Sequence, residues 1–337
     1  MAQSASSAAA QTRYKPASWL TQLRLHTAGP IAIVCGGLLL GCIVAGLLAP
    51  DRFFFLTSAN LTLVLRAIPN FGMVTLGVGL LMIAGEFDLS VGSVYVAAPF
   101  AMAFAFAAGV PLPLAILLAF GIAIMIGLTN AFITLRFGIP SFITTLGMLF
   151  IVRTVAPFVV GYQRSLNFRP PAEFKAALVG DFFGIPAQFV WFLGFALIAY
   201  LLLNRHFLGN QFFAAGGDAQ AARFAGVNVN RAKTLAFVLA PVFATTSGIF
   251  SVTRISTSAT NPQLFIELFA VAICVMGGLS LFGGRGSVAG IVLGATLLQL
   301  VQDVIVLARL PGFYLDMFVG LMIVFGLVLN QAVRRKS

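Results

Sequence analysis

Charged side chains are scarce in this sequence: only 9% of its 337 residues are Asp, Glu, Lys or Arg. Soluble domains carry about 25% charged residues. Here 60% of the residues are hydrophobic, and the mean hydropathy is +1.03. A water-soluble fold could not cover so much apolar surface. The hydrophobic residues form long continuous runs rather than short alternating segments, so the composition predicts an all-α membrane protein that crosses the bilayer many times.

Residues that bind metals, cofactors or nucleotides are equally scarce. Cys35, Cys42 and Cys274 lie inside hydrophobic runs without metal-ligand spacing, and the only histidines are His26 and His206. No G-x-x-x-x-G-K-[ST] motif and no Gly-Lys pair occurs, so the chain cannot hold ATP phosphates in a P-loop. No catalytic constellation is present either. We therefore expect a protein that is not an enzyme and that binds no cofactor of its own.

Ten hydrophobic segments are candidate membrane spans, and they define a polytopic bundle with both termini on one side. A cytoplasmic N-terminus gives twelve Lys and Arg to cytoplasmic segments and six to the opposite side, as the positive-inside rule requires. The net charge of +11 therefore indicates membrane topology rather than a nucleic-acid partner. The predicted spans are residues 31–49, 60–84, 89–109, 112–135, 140–161, 189–203, 235–252, 264–281, 288–307 and 313–329.

This topology divides the chain into a membrane domain with two short tails. Residues 1–29 form a polar cytoplasmic tail with an interfacial helix, and residues 332–337 form a basic cytoplasmic tail. Between them, residues 30–331 form the transmembrane domain. Two longer polar segments interrupt it: residues 162–187 on the outside and residues 204–234 in the cytoplasm.

The cytoplasmic segment contains a short helix signal. Asp218 is a good N-cap, Ala219–Ala225 are strong helix formers, and Gly226 suits the left-handed stop. A helix of about two turns is marginal alone in water, because nucleation is costly. It must therefore dock on something, either a separate protein or its own membrane domain.

Polar residues inside the hydrophobic segments are candidates for a translocation pathway. Asp88 and Ser90 lie in the compact break Gly85–Ser93, where they act either as a gate or substrate site or as a plain helix cap. Helices broken by proline with small hydroxyls nearby can line a polar route. This pattern adds Asn70, Phe71, Thr245, Thr246 and Ser247.

Four charges lie singly within apolar segments. A lone charge at membrane depth is costly, so we expect each to pair internally, to reach the interface or to line water. None recurs at a helical spacing that would form a continuous proton relay. The four are Arg66, Arg153, Glu267 and Asp303.

Four stretches together carry a family resemblance that covers nearly all of residues 60–330. They are DLSVGS at Asp88–Ser93, NAFITLRFGIPSFITTLG at 130–147, GGDAQAARFAG at Gly216–Gly226, and ELFAVAICVMGGLSLFGGRGSVAGIVLG at 267–294. With these motifs the chain resembles the integral-membrane permeases of bacterial ABC importers for ribose and related monosaccharides. Glu86-Phe87, Ala131 and Asp218 depart from the usual family pattern and leave the solute open among ribose, rhamnose, xylose, nucleosides and autoinducer 2.

The resemblance implies a permease subunit in the bacterial inner membrane that translocates a monosaccharide. Its implied partners are a second permease copy (the same chain or a similar paralogue), a two-domain ABC ATPase that binds the ATP, a periplasmic sugar-binding protein and membrane lipid. Residues 162–187 become a periplasmic loop and residues 204–234 a coupling loop. The implied ATPase-coupling residues are Gly217, Asp218, Ala221, Ala222, Arg223 and Gly226.

Two other functions remain open from the residues alone. An ion-coupled secondary transporter of a small polar solute would have a similar composition, and so would a membrane scaffold or receptor without transport. Dependence of uptake on an ATPase or on a proton gradient discriminates between the first alternative and the importer.

Overall fold

The computed structural model describes residues 28–159, 165–259, 265–321 and 324. The predicted interfacial helix and the basic tail lie outside these ranges. Helices dominate the described part, in the order α1 Gly29–Leu48, α2 Ser58–Ile83, α3 Val91–Ala107, α4 Leu112–Phe137, α5 Ser141–Val159, α6 Ala172–Val179, α7 Ala187–Asn204, α8 Phe207–Gly217, α9 Ala219–Phe224, α10 Val229–Ile255, α11 Ile266–Met276, α12 Val288–Leu307 and α13 at residues 313–321.

The predicted all-α membrane fold is confirmed. Each of the ten predicted spans is a helix over most of its described part, and six described helices are long and apolar enough to cross a bilayer. The eighth predicted span, residues 264–281, is too long, because α11 has only 11 residues and ends at Gly277 and Gly278. The cytoplasmic segment also holds α8, which the sequence did not predict as a helix.

The helices α2 and α10 form the centre of the bundle, with α3, α4 and α12 packed around them. Glycines allow the close crossings: a Cβ at Gly77 would collide with the backbone of Ala240, and one at Gly127 with the backbone of Phe237. Gly248 of α10 lies in the same way against the carbonyl oxygen of Tyr95 in α3. Small residues at such crossings let membrane helices approach closely.

Connections at the two ends of the bundle are of different kinds. At one end, the glycine turns after α2 and α11 meet the last residues of α8. At the other end, strand β1 (Ser165–Asn167) pairs antiparallel with β4 (Thr257–Ala259), and β2 (Asp181–Phe182) pairs with β3 (Ile185–Pro186). The described part of the predicted polar segment at 162–187 therefore contains α6, the β2–β3 pairing and the strand β1, whose partner β4 lies elsewhere in the chain.

The lone charges in apolar segments have internal partners, as expected. Arg66 forms an exposed ion pair with Asp181 at 2.9 Å. The Asp303 carboxylate accepts a hydrogen bond from the Asn60 side chain at 3.0 Å. Arg153 lies 3.9 Å from the buried carboxylate of Glu267. Pairing removes much of the cost of keeping a charge at membrane depth.

Candidate coupling and translocation sites

The helix α9 stands at the end of the bundle where the glycine turns meet. Its start is capped by Asp218, whose Oδ1 accepts hydrogen bonds from the backbone N–H groups of Gln220 and Ala221, both at 2.9 Å. Gly226 ends the segment in the left-handed region at φ +83°. The cap and the stop are those predicted from the sequence, and they hold α9 in one conformation despite its six residues.

The two sides of α9 have different environments. Ala222 is 5% exposed and packs on the bundle core, whereas Phe224 is 85% exposed. Gly217, Asp218, Ala221, Arg223 and Gly226 are also exposed. Five of the six predicted coupling residues thus lie on an open surface, and Ala222 is the contact that seats the helix. Phe224 was not predicted as a coupling residue, although a Phe in a polar segment was the available signal.

Behind α9, three chain segments meet at a cluster that we call the glycine junction: Gly85, Gly216, Gly283 and Gly284. A Cβ at Gly216 would overlap the carbonyl oxygen of Ile83 and the nitrogen of Gly284, and one at Gly283 would meet the backbones of Gly85 and Gly216. The N–H of Gly284 donates to the Ile83 carbonyl at 2.9 Å. The end of α8 is therefore in backbone contact with the turns after α2 and α11.

An ion pair lies next to the glycine junction. Lys233, in the first turns of α10, donates to Oε1 of Glu86 at 2.6 Å. The two side chains are only 14% and 12% exposed. Glu86 is one of the departures from the usual family pattern, and its partner was not predicted because 147 residues separate the two in sequence.

Asp88 and Ser90 form a buried cluster at the start of α3. Oδ1 of Asp88 accepts hydrogen bonds from the N–H of Ser90 at 2.7 Å and from its hydroxyl at 2.5 Å. The Asn130 side chain of α4 donates to the Ser90 hydroxyl at 2.9 Å. The predicted carboxylate cap is therefore present. Both residues are enclosed in this conformation, and their pathway role stays a prediction.

A second polar group joins α2, α3 and α10. The Tyr95 hydroxyl donates to the Asn70 side chain at 2.8 Å, and the Ser247 hydroxyl donates to the Asn70 carbonyl at 2.7 Å. Phe71 packs against Phe269 of α11, with ring centroids 5.4 Å apart. The structure thus brings Asn70 and Ser247 together and adds Tyr95, an aromatic residue within an apolar run that the sequence did not single out.

The neighbouring threonines of α10 are arranged differently. Thr246 donates to the Val242 carbonyl of its own helix at 2.9 Å. The buried Thr245 hydroxyl has no hydrogen-bond partner among the residues that the structure describes. Buried hydroxyls are normally paired, so Thr245 is the pathway candidate whose hydroxyl is left to bond a solute.

The long apolar helices with hydrogen-bonding groups buried between them define an integral-membrane protein. Comparison with known proteins gives the family. Residues 60–327 match the family model described as the permease component of branched-chain amino acid transport systems. The autoinducer 2 import system permease protein LsrC of Enterobacter sp. strain 638 is 32% identical over 263 residues, covering 78% of this chain and 76% of the relative.

Further relatives agree. LsrC of Escherichia coli O9:H4 strain HS is 30% identical over 83% of this chain and 81% of its own length. A probable ABC transporter permease protein, y4mJ of Sinorhizobium fredii, is 29% identical over 88% of both chains. No solved structure matches. The chain belongs to this family of ABC-importer permeases.

Membership determines several properties of the chain. It is a multi-pass protein of the bacterial inner membrane. It is not an enzyme, because a separate ATPase hydrolyses ATP for such permeases. Its transport system includes that ATPase and a periplasmic binding protein.

Proposed function

We propose that this chain translocates a monosaccharide or a related sugar-like solute, with a ribose-like sugar as the first candidate and autoinducer 2 as the second. The polar residues between its central helices support an uncharged solute. Asn70, Tyr95, Thr245 and Ser247 offer hydroxyl and amide groups, which suit the hydroxyls of a sugar. A zwitterionic amino acid would instead be held best by charge-assisted hydrogen bonds or helix ends, which these four side chains do not provide.

The observation that carries the coupling proposal is the exposed, preorganised helix α9. Phe224 is 85% exposed, while Asp218 and Ala222 hold the helix in position. A large aromatic side chain in water next to a charged neighbour, Arg223, is typical of a residue that fills a pocket of a partner. We therefore assign Phe224 to the ATPase contact, with Gly217, Asp218, Ala221, Ala222, Arg223 and Gly226 forming or supporting that surface.

The proposed assembly has further parts. A second permease copy, the same chain or a similar paralogue, completes the membrane part, and the ATP binds only to the ATPase. This chain holds no cofactor of its own. Among the pathway candidates, Thr245 is the first to test. Asn70, Phe71, Thr246 and Ser247 come next, and the enclosed Asp88 and Ser90 come last.

The deciding experiment reconstitutes the chain with its ATPase and binding protein in proteoliposomes and measures uptake of labelled ribose, xylose, rhamnose and autoinducer 2. We expect uptake of one of these only with ATP on the ATPase side, and no effect of a protonophore. Uptake without the ATPase that follows a proton gradient would establish the ion-coupled alternative. Uptake of leucine but of none of these solutes would contradict the monosaccharide proposal.

Phe224→Ala tests the docking surface in the same system. The substitution should leave insertion and thermal stability unchanged, because the ring contacts solvent. Copurification of the ATPase should fall by about tenfold, as expected when a central aromatic anchor is truncated. The control is Phe207→Ala, which changes a 59% exposed residue at the start of α8. An equal effect of both variants would remove Phe224 from the contact.

A further inference from the structure

The backbone contacts at the glycine junction leave no room for independent movement. Gly216 at the end of α8 touches the backbones that follow α2 and precede α12, and no side chain separates the three. Closely packed interiors transmit displacement instead of absorbing it. Only Asp218 separates α9 from Gly217, so a displacement of α9 is expected to act on Gly85 through these contacts.

The Lys233–Glu86 ion pair provides a second connection to the same segment. Its 2.6 Å contact joins the start of α10 to the residue next to Gly85, and both side chains are largely shielded from water. A shielded, charge-assisted hydrogen bond holds its geometry more firmly than an exposed pair does. The exposed pair Arg66–Asp181 at the opposite end of the bundle is the natural comparison.

From Glu86, the chain leads directly to the start of α3. The N–H of Phe87 donates to the Ser141 hydroxyl at 3.1 Å, and the N–H of Leu89 donates to the Thr145 hydroxyl at 3.1 Å. The short segment is thus fastened along α5 and then joins the buried Asp88 cluster. Within the first turn of α3, Gly92 lies against the carboxylate of Glu267 in the first turn of α11. Only four residues separate Glu86 from the start of α3 at Val91.

We propose that the Lys233–Glu86 pair, acting with the glycine junction, positions residues 85–90 so that movement of α9 is transmitted to the first turns of α3 and α11. Glu86 and Lys233 are positioning residues and contact neither the solute nor the ATPase. The proposal rests on the proposed function, since it needs an ATPase that moves α9. It identifies where the movement enters the membrane domain of this particular chain.

The test compares wild type, Glu86→Gln, Lys233→Gln and the exchanged pair Glu86→Lys with Lys233→Glu in the reconstituted transporter. The quantity measured is solute taken up per ATP hydrolysed, using whichever of the four labelled solutes the wild type imports. Each single variant should bind the ATPase normally and lose about tenfold in this ratio, a typical coupling between distant sites. The exchanged pair should recover most of the loss. The control, Asp181→Asn, breaks the exposed ion pair and should match wild type.

The outcomes separate this inference from the function beneath it. A wild type without ATP-dependent uptake of any of the four solutes refutes the proposed function before variants are compared. With an active wild type, single variants within about twofold of it overturn the inference, since coupling energies correspond to at least about fivefold. The inference is also overturned if the exchanged pair transports no better than the single variants, or if the single variants lose ATPase binding. Poor accumulation of the single variants beside good accumulation of the exchanged pair would overturn it as well.

Discussion

The helix α1 and the central pair α2 and α10 show opposite relations between apolarity and burial. The most apolar part of α1 has a mean hydropathy of 2.7, yet only 22% of its residues are buried. The corresponding values are 1.5 and 72% for α2, and 1.9 and 67% for α10. The more apolar helix is therefore the more exposed one, the reverse of the usual pattern in a soluble protein.

The central helices are held together by close packing and hydrogen bonds rather than by hydrophobicity. Lipid tails accept an apolar helix face as readily as another helix does, so hydrophobicity drives insertion but not association. The central helices instead carry what close contact needs, namely glycines at crossings and hydrogen-bonding groups such as Asn70 and Ser247. Hydropathy thus identifies which segments span the membrane, while the close glycine contacts and the buried hydrogen bonds distinguish the central helices from α1.

The largest expected effect is at a glycine crossing. In Gly77→Leu the new side chain would collide with the backbone of Ala240 and with Phe243, so two central helices must separate. We expect the free energy of unfolding to fall by about 4 kcal/mol. This is above the common range for overpacking, because backbone atoms rather than flexible side-chain ends must move. Monodisperse protein on size-exclusion chromatography should disappear. Gly36 on α1 has open space around it, so Gly36→Leu should behave as wild type. Equal behaviour of the two variants would contradict the difference in packing between α1 and the central helices.

The buried cluster at the start of α3 should give the next largest effect. Asp88→Ala removes the acceptor for two groups of Ser90 and for the Asn130 amide, which donates to the Asp88 carboxylate at 3.4 Å. Unpaired buried polar groups cost roughly 1–3 kcal/mol each, so we expect a loss of about 3 kcal/mol in unfolding free energy, measured in mixed micelles. Asp51→Ala, at an exposed turn, should change stability by less than about 0.5 kcal/mol. A loss for Asp51 equal to that for Asp88 would contradict the structural role.

The smallest effect tests the comparison with one residue type. Leu80→Ala in α2 empties a site that is 1% exposed, whereas Leu40→Ala in α1 changes a side chain that is 62% exposed. We expect Leu80→Ala to lower the free energy of unfolding by about 2 kcal/mol, the low end for a buried leucine. Outside the bundle the leucine side chain would be surrounded by apolar lipid, so the substitution removes only its packing contacts. Leu40→Ala should stay within about 0.5 kcal/mol. Similar losses for both would show that α1 is covered by a partner rather than by lipid.

Local signals predicted much of the fold and one part of the candidate site. The spans follow from continuous hydrophobic runs, and the cap at Asp218 and the stop at Gly226 depend on residues within one or two turns. The helix α8 was missed because its sequence, FLGNQFFAAGG, mixes glycine and polar residues. It is stabilised by packing: Phe212 and Ala215 are buried against the bundle.

Hydropathy and capping act over short stretches of chain, so the residues alone predicted the class of the protein, the approximate location of its apolar helices and the capped helix α9. Which polar residues meet depended on the packing of the helices. Asn70 and Ser247 are 177 residues apart, Asn60 and Asp303 are 243 apart, and Glu86 and Lys233 are 147 apart. Such pairs form when helices pack, and a membrane helix reveals its packing face through small and polar residues that hydropathy does not register.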